Sequence, residues 1–508
     1  MRIERTKNAL KGIAAGLVLK VFQMILPFIM RTAIIYIMGV EYLGLNSLFS
    51  SILHTLNLAE MGVGIVMVYG MYKPIAEDDT PRINALLNLY RKYYRIIGTV
   101  IATVGMLLTP VLPKLISGEI PGELNLYVLY YLNLTATVMT YWVFSYKKSL
   151  LQAHQRTDLL SLISVLTNLF QYIAQFLVLY LTRNYYVYVV VLVITMILNN
   201  IVSAVVVNKK YPCYRPRGNL PKHEIHKINQ SVLDLVTGKI GHVVLKSVDS
   251  IVISVYLGLT ALAVYQNYYF ILTSVSSVFE IILSSMTAGL GNSLVVETDE
   301  KNYRDMKKLS HLFMWLMGIC TCCLLGVYQP FMRVWVGKSL MLEFSIVICF
   351  ALYFYVLILN RLLNIYKDAA GIWHQDRFRP LIAAIVNLAL NLLLIRDWGL
   401  YGILISTIVA ITFVEIPWVL CNLFKYVFSV MHLKEFAVKM LRNIAVTILA
   451  GAVVIYLCRY APSNSIIALL FCVLISVVIP NIVYSIFYRG EESLRESCKF
   501  ILRVIKSK

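Results

Sequence analysis

Residues 12–38 read GIAAGLVLKVFQMILPFIMRTAIIYIM, an apolar run that only a few polar side chains interrupt. The run exceeds the roughly 20 residues that an α-helix needs to cross about 30 Å of hydrocarbon. Lys20, Gln23 and Arg31 lie inside it, and at helical spacing they share one face. A charge at the centre of such a helix costs about 2.5–3.5 kcal/mol on insertion scales, so it must face a cavity or a partner. The stretch predicts a membrane helix with a polar face, too long and too charged for a secretory signal.

Similar runs recur along the whole chain. Its 508 residues are 59% hydrophobic and 14% charged, whereas soluble domains are roughly 45–50% apolar and about 25% charged. The composition excludes an ordinary soluble enzyme and predicts an all-α, polytopic integral membrane protein with about fourteen transmembrane helices. The predicted spans are 12–38, 42–70, 94–116, 125–146, 159–181, 187–207, 232–257, 262–290, 311–332, 343–366, 380–396, 401–424, 441–459 and 465–487.

The basic residues are distributed unevenly between the loops. Of the 46 Lys and Arg residues, 36 lie in one alternating set of loops and tails and 6 in the other. Cytoplasmic loops carry the excess of Lys and Arg, so we predict that both termini are cytoplasmic. The net charge of +20 therefore reflects topology. The basic loops are too short to form a nucleic-acid reader, and no nucleic-acid partner is expected.

The chain also shows an internal repeat around a central polar connection. Residues 208–229 read NKKYPCYRPRGNLPKHEIHKIN, which is typical of a hinge or linker. An offset of 219 aligns Gly39 with Gly258 and Lys20 with Lys239. We therefore predict two pseudo-symmetric six-helix lobes and a C-terminal helix pair. The predicted divisions are an N-terminal lobe 1–207, a cytoplasmic linker 208–229, a C-terminal lobe 230–424, and helices 13 and 14 with a basic cytoplasmic tail at 425–508.

Spans one, two, seven and eight each carry a polar stripe at helical spacing, and these stripes supply the candidate site residues. The candidates for substrate binding are Lys20, Gln23, Arg31, Asn57, Lys239, Lys246 and Gln266, and the candidates for ion coupling are Glu60, Asp249 and Glu280. Four cations facing three acids would leave a cavity that attracts anions.

Other readings of the same residues stay open. The cations could form internal salt bridges with the three acids, and Lys246 and Asp249, at i, i+3, could simply neutralise each other. Polar side chains such as Asn168 and Gln171 could only join packed helices or mark the ends of a cavity. The 34 tyrosines favour an interfacial belt, or alternatively rings that stack on sugars inside the lumen.

No catalytic signature is present in the sequence. It has no GxxxxGK[ST] loop, no HExxH and no G-x-S-x-G, so we expect no enzyme activity, no cofactor and no metal site. Without a nucleotide-binding loop, uphill transport must draw on an ion gradient, the membrane potential or a partner, and Na⁺ or H⁺ are the candidate coupling ions. The nine cysteines mostly lie in apolar runs and are expected to be reduced packing residues.

The stretch RTAIIYIMGVEYLGLNSLFSSILHTLNLAEMGVGIVMVYGMYKPIAEDD (31–79) resembles the N-terminal region of a known superfamily. Its likeness lies in Arg31, a G-x-x-x-L-G-L turn beginning at Gly39, an L-x-E-x-G-x-G run around Glu60, and the sequence Y-K-P-I-A. These residues resemble the multidrug/oligosaccharidyl-lipid/polysaccharide (MOP) flippase superfamily, and more closely its Wzx-type polysaccharide flippases. The resemblance implies two lobes around a central cavity lined by spans one, two, seven and eight, with alternating access.

The resemblance also separates the candidate functions. Multidrug antiporters of this superfamily usually bind cations and carry an acid in the first span, whereas this chain has Lys20 and Arg31 there and no Asp or Glu. We therefore expect a flippase in the bacterial plasma membrane for an undecaprenyl-pyrophosphate-linked oligosaccharide. The expected partners are membrane lipid, the polyprenyl-pyrophosphate-linked glycan and polysaccharide assembly machinery, with Lys20, Arg31 and Lys239 on the pyrophosphate. The alternatives are a lipid-linked peptidoglycan-precursor flippase, an ion-coupled multidrug antiporter, and a non-transporting scaffold. The predicted number of fourteen spans resembles that of the peptidoglycan-precursor flippases.

Overall fold

The computed structural model describes residues 5–60, 62–118, 120–122, 124–462 and 464–489. Within its helices a few side chains also fall outside the description, among them those of Lys239, His242 and Lys246. The described residues form sixteen α-helices with short 3-10 and π segments, and no strand occurs in these ranges. The predicted all-α class is confirmed.

The helices follow one another with short connections. The first nine are α1 Arg5–Ile37, α2 Val40–Leu56, α3 Val63–Ala76, α4 Thr80–Leu108, α5 Leu126–Trp142, α6 Lys148–Ala153, α7 Thr157–Thr182, α8 Tyr185–Lys210 and α9 Lys222–Val296. The remaining seven are α10 Asp299–Trp335, α11 Phe344–Ala369, α12 Arg379–Trp398, α13 Leu400–Val409, α14 Ile416–Tyr426, α15 Leu433–Cys458 and α16 Ser465–Phe487. Gly258 has non-helical backbone angles and divides α9 into a first arm, 222–257, and a second arm, 259–296.

Membrane-length helices dominate the described part of the chain. Eleven helical stretches there are long and apolar enough to cross a bilayer, which makes this a multi-pass membrane protein. The predicted number of about fourteen stays a prediction, because several predicted spans take another form. The second span is interrupted by the 3-10 turn Asn57–Glu60, the fourth corresponds to the 17-residue α5, and the seventh and eighth are the two arms of α9.

Two glycines end corresponding helices with the same kind of turn. Gly39, between α1 and α2, has φ 123° and ψ 162°, and Gly258, between the arms of α9, has φ 84° and ψ 178°. Glycine adopts positive φ without the steric penalty that a Cβ would bring. The two positions are 219 residues apart, so the sequence offset recurs in the backbone geometry.

Helices α4 and α10 begin with the same kind of cap. The Asp79 side chain accepts a hydrogen bond from the Arg82 backbone N–H at the start of α4, and Thr298 accepts one from the Lys301 N–H at the start of α10. Such N-caps satisfy backbone donors that the first helical turn leaves without partners. Asp79 and Thr298 are again 219 residues apart, which extends the repeat to the helix starts.

The chain divides into two compact units, Met1–Ala263 and Val264–Lys508. The first arm of α9 and the beginning of the second arm belong to the first unit. There Gly44 of α2 lies so close to Leu259 that a Cβ on it would clash with the Leu259 carbonyl group. The predicted four-part division, with lobes 1–207 and 230–424, describes a sequence symmetry and stays a prediction.

The predicted linker, 208–229, is held against α4 in the first unit. The Asn84 side chain accepts a hydrogen bond from the Arg215 backbone N–H at 2.7 Å, and Asn88 donates to the Gly218 carbonyl at 2.7 Å. These bonds satisfy backbone groups that an irregular segment cannot pair within itself. The connection is therefore docked on a helix along part of its length.

The eight cysteines within the described residues form no disulfide bond. Cys322 and Cys472 are buried, but Cys213 and Cys421 are exposed rather than packed. Cys498 lies outside the described residues.

Candidate functional site

The first unit contains a large polar cavity. It has a volume of about 1010 Å³ and is lined by side chains of α1 and α3 to α8 together with Glu60. Its wall is made mostly of tyrosines and of uncharged amide and hydroxyl side chains. In the part of the wall that the structure describes, Glu60 and Lys148 are the sole charged residues. A polar cavity in a membrane protein is a candidate functional site, because polar groups are costly in hydrocarbon.

Glu60 lies in the 3-10 turn Asn57–Glu60 and is held by two phenols. The Tyr94 hydroxyl donates to Glu60 Oε1 at 2.8 Å, and the Tyr141 hydroxyl lies 3.1 Å from Glu60 Oε2. Tyr90 donates in turn to the Tyr94 oxygen at 2.8 Å. These hydrogen bonds join the Glu60 carboxyl group to α4 and α5.

Lys148 is at the start of the short helix α6. Its ammonium group donates to Asn199 Oδ1 at 2.6 Å, and the Asn199 amide donates to Thr167 Oγ1 at 2.7 Å. Burial lowers the pKa of Lys148 to about 8, and nearby Glu60 counteracts part of this effect. The cavity therefore holds one acid and one base, and each already has hydrogen-bonding partners.

The predicted substrate-binding residues differ in their surroundings where the structure describes them. Gln23 lines the cavity, and Asn57 lies beside it, with its Oδ1 3.0 Å from the Tyr141 hydroxyl. Arg31, further along α1, interacts electrostatically with Tyr172 and Tyr188. Among the remaining candidates, Lys20 is half-buried on α1, Gln266 is half-buried on the second arm of α9, and the side chains of Lys239 and Lys246 lie outside the described residues.

The three predicted ion-coupling acids have different surroundings within their own units. Glu60 faces the cavity, whereas Asp249 is 6% exposed in the first arm of α9. Glu280, on the second arm, forms an ion pair of 2.8 Å with Arg361 of α11. The internal salt bridges considered from the sequence joined these acids to the cations of spans one and seven, and Arg361 was not among those cations.

Sequence reasoning missed most of the cavity wall. The tyrosines were predicted to form a membrane-interface belt or, alternatively, to stack on sugars inside the lumen, without saying which of them would do so. Tyr69, Tyr72, Tyr90, Tyr94 and Tyr141 line the cavity. Lys148 was counted only as a loop cation. The i, i+4 spacing of Tyr90 and Tyr94 on one helix face was the available signal, but a face gives no information about which helix it meets.

A second buried polar cluster lies in the second unit and lines no part of this cavity. Arg379, 1% exposed, donates through Nε and Nη2 to the two Asp376 oxygens at 2.8 Å each. Its Nη1 lies 3.6 Å from Oε1 of Glu415, in the π-helical turn Ala410–Glu415. Lys367 is 3.2 Å from Asp376. Two buried acids thus meet two bases.

Comparison with known proteins identifies the fold and the family. The sequence profile of the family described as "Polysaccharide biosynthesis protein" matches residues 9–288. No curated protein sequence matches the chain significantly.

Three solved structures illustrate the fold. A lipid II flippase MurJ in an inward closed conformation superposes with a TM-score of 0.66 at 15% identity, covering 93% of this chain and 98% of that one. An inward-facing MATE family multidrug resistance transporter of the MOP superfamily gives 0.62 at 12% identity, with coverages of 83% and 99%. A MOP superfamily transporter from Pyrococcus furiosus, described as having a binding pocket of reverse polarity, gives 0.53 at 13% identity, with coverages of 84% and 96%.

The fold is shared with multi-pass membrane proteins of the MurJ and MATE kinds. The family profile spans more than half of the chain, and the chain belongs to the polysaccharide biosynthesis protein family. The superfamily resemblance stated from residues 31–79 is confirmed.

Proposed function

We propose that this protein is a flippase that moves an undecaprenyl-pyrophosphate-linked oligosaccharide from the cytoplasmic to the outer leaflet of a bacterial plasma membrane. The observation that carries the proposal is the 1010 Å³ polar cavity within a membrane-spanning unit of a chain that belongs to the polysaccharide biosynthesis family. Sugars and a pyrophosphate cannot cross hydrocarbon without compensation for their lost hydration. A polar lumen carries this head group while the polyprenyl tail stays in lipid.

The pyrophosphate is assigned to the cations of spans one and seven. Arg31 and Lys20 lie on α1, and Lys239 lies on the first arm of α9. An anionic group gains most from cations that are already partly desolvated, and the guanidinium of Arg31 grips phosphate oxygens with two parallel hydrogen bonds. Alternating access between two sides of the membrane completes the transport cycle.

Coupling to a Na⁺ or H⁺ gradient is assigned to Glu60. This acid lines the cavity, whereas Glu280 forms an ion pair with Arg361. Binding of a cation or proton at Glu60 would neutralise the carboxylate that Tyr94 and Tyr141 now contact, and so would change the hydrogen bonds that join α4 and α5 to the turn. Both termini are cytoplasmic in this scheme, and partners in the assembly machinery deliver and receive the glycan.

Depletion of the protein tests the substrate directly. In depleted cells a polyprenyl-pyrophosphate-linked oligosaccharide should accumulate on the cytoplasmic side, as measured by mass spectrometry of extracted head groups. Accumulation of the peptidoglycan precursor would instead establish the related flippase function, which the MurJ likeness makes the second candidate. No accumulated glycolipid, together with increased sensitivity to cationic drugs, would establish a multidrug antiporter.

Variants of the cationic residues test the head-group assignment. Arg31→Lys should lower surface polysaccharide although the charge is kept, because an ammonium group cannot form the bidentate contact. Arg31→Ala and Lys239→Ala should lower it further at unchanged membrane abundance. A triple alanine variant, including Lys20→Ala, that still made the wild-type amount of polysaccharide would overturn the assignment.

A further inference from the structure

We infer that the cavity of the first unit is the binding site of the glycan, and that it binds uncharged sugar residues rather than the pyrophosphate. This inference rests on the proposed function and goes further by dividing the head group between two places. The sugars occupy the cavity beside α3 and α7, and the anion stays with the cations of spans one and seven.

Two exposed tyrosine rings of α3 line the cavity. Tyr69 is 76% exposed and Tyr72 is 44% exposed, and both line it. Their centroids are 6.2 Å apart in an edge-to-face arrangement, so one ring stands roughly at right angles to the other. The face of an aromatic ring is electron-rich and attracts the polarised C–H bonds on the apolar face of a pyranose. Two rings at an angle form a corner that fits a sugar ring better than a flat apolar surface does.

Other parts of the wall carry amides that match sugar hydroxyl groups. Asn168 and Gln171 of α7 and Gln152 of α6 line the cavity. Each amide offers two N–H donors and a carbonyl acceptor, and a sugar hydroxyl needs both a donor and an acceptor. A few polar groups placed around an apolar surface are what fixes a ligand's orientation in a pocket.

The charges of the wall do not favour a pyrophosphate. Glu60 is bonded by two phenols, and Lys148 is bonded to Asn199. The described wall is neutral overall, because it holds one acid and one base. A dianionic group would meet a carboxylate and a single ammonium whose pKa burial has already lowered to about 8. Burying a charge without sufficient partners is costly in free energy. An uncharged ligand does not incur this cost.

The volume also fits a short glycan. Ligand pockets of roughly 300–1,000 Å³ enclose drug-sized molecules, and the cavity, at about 1010 Å³, lies at the upper end of that range. An oligosaccharide of a few residues needs this space, whereas a pyrophosphate alone would leave most of it filled with water.

The test compares two probes on the purified full-length protein in lipid nanodiscs. One probe is the free glycan, released by mild acid from the lipid-linked intermediate of depleted cells, and the other is inorganic pyrophosphate. The variants are Tyr72→Leu, which removes the ring, and Tyr72→Phe, which keeps the ring and loses the hydroxyl. Tyr180→Leu is the matched control, because Tyr180 is a 68% exposed tyrosine of α7 that does not appear among the residues lining the cavity.

Tyr72→Leu should weaken glycan binding by roughly 3- to 10-fold, as expected for one lost aromatic contact. Tyr72→Phe and Tyr180→Leu should bind the glycan like the wild type, and pyrophosphate binding should be the same in all four proteins. Unchanged glycan binding in Tyr72→Leu, or loss of pyrophosphate binding in that variant, would overturn the inference and leave the proposed function standing. If depleted cells accumulate no lipid-linked glycan, the proposed function itself fails, and the inference fails with it.

Discussion

At the scale of single residues, the cavity depends on how two buried charges are held. Glu60 accepts hydrogen bonds from phenols, and Lys148 donates to an amide. Neither forms a close ion pair with the other in the described contacts, so each can be changed separately. Their neighbours are side chains of several helices, so replacing either residue tests how these helices pack in the first unit.

Replacing Glu60 tests the role of the phenol contacts. Glu60→Ala leaves the Tyr94 hydroxyl group without its acceptor and the Tyr141 hydroxyl group with Asn57 alone, and a buried donor that loses its partner costs about 1–3 kcal/mol. The apparent melting temperature of the protein in detergent should fall clearly for Glu60→Ala and less for Glu60→Gln, whose carbonyl still accepts. Glu77→Ala, at an exposed i, i+4 pair with Lys73, is the control and should change little. Equal melting temperatures for Glu60→Ala and Glu77→Ala would contradict the assignment.

Lys148 should lose its proton near pH 8. Burial lowers its pKa in the folded protein, whereas the unfolded chain holds the proton up to about 10.4. The unfolded state therefore binds more protons between these values, and the contribution of Lys148 to stability rises with pH across that window. In ¹³C NMR of reductively methylated protein, the resonance that Lys148→Arg removes should titrate near pH 8. Titration of that resonance above about pH 10 would show that the amine is hydrated.

At the scale of helices, tight turns and buried polar clusters determine how neighbouring helices pack. Gly258 joins the two arms of α9 with a positive φ, and a Cβ there would lie 2.7 Å from the Ser117 carbonyl oxygen. Ser117 also donates its backbone N–H to the Ser254 carbonyl at 2.9 Å. The turn is therefore fitted against the connection that follows α4.

Gly258→Ala should destabilise the protein for two reasons. A side chain at positive φ costs about 1–3 kcal/mol, and the close approach of Ser117 adds a clash. Gly118→Ala separates the two contributions, because Gly118 has φ 90° but no neighbouring atom within 4 Å of an added Cβ. The melting temperature should fall more for Gly258→Ala than for Gly118→Ala, and the reverse order would exclude the steric part of the argument.

Breaking the buried cluster of the second unit should be more damaging than breaking an exposed pair. Arg379→Met leaves Asp376 and Glu415 buried without their guanidinium, and removing one partner of a buried pair costs about 3–5 kcal/mol. Arg361→Met removes the partner of Glu280, whose side chain is 58% exposed, and should cost at most about 1 kcal/mol. Thermal unfolding of both variants measures the difference. A similar loss in the two would mean that the Arg379 cluster contributes little.

At the scale of the whole molecule, membrane orientation is the property that the loop charges predict. Arg217 is exposed in the connection between α8 and α9, and Lys338 is exposed in the connection between α10 and α11. The count of Lys and Arg assigns the first connection to the cytoplasm and the second to the outside.

Cysteine labelling in intact cells checks this orientation. With the exposed Cys213 and Cys421 replaced, an impermeant reagent should label Lys338→Cys and should label Arg217→Cys only after the membrane is opened. Labelling of Arg217→Cys from outside would reject the predicted topology.

The sequence by itself determined the class of the molecule and much of its local structure. Long apolar runs predicted membrane helices because the cost of unpaired backbone groups in hydrocarbon leaves few alternatives. The offset of 219 aligned Gly39 with Gly258, and both glycines have a positive φ in the structure. The residues 31–79 also identified the superfamily.

Tertiary structure alone decided the site. Glu60 was found from its polar face, but its partners Tyr94 and Tyr141 come from two other helices, and Lys148 comes from a short helix that the hydropathy pattern does not predict. Helical periodicity determines which side chains share a face, whereas the neighbours of that face depend on how helices far apart in the chain pack together. For the same reason Glu280 meets Arg361, a pairing between distant segments that no local pattern in the sequence encodes.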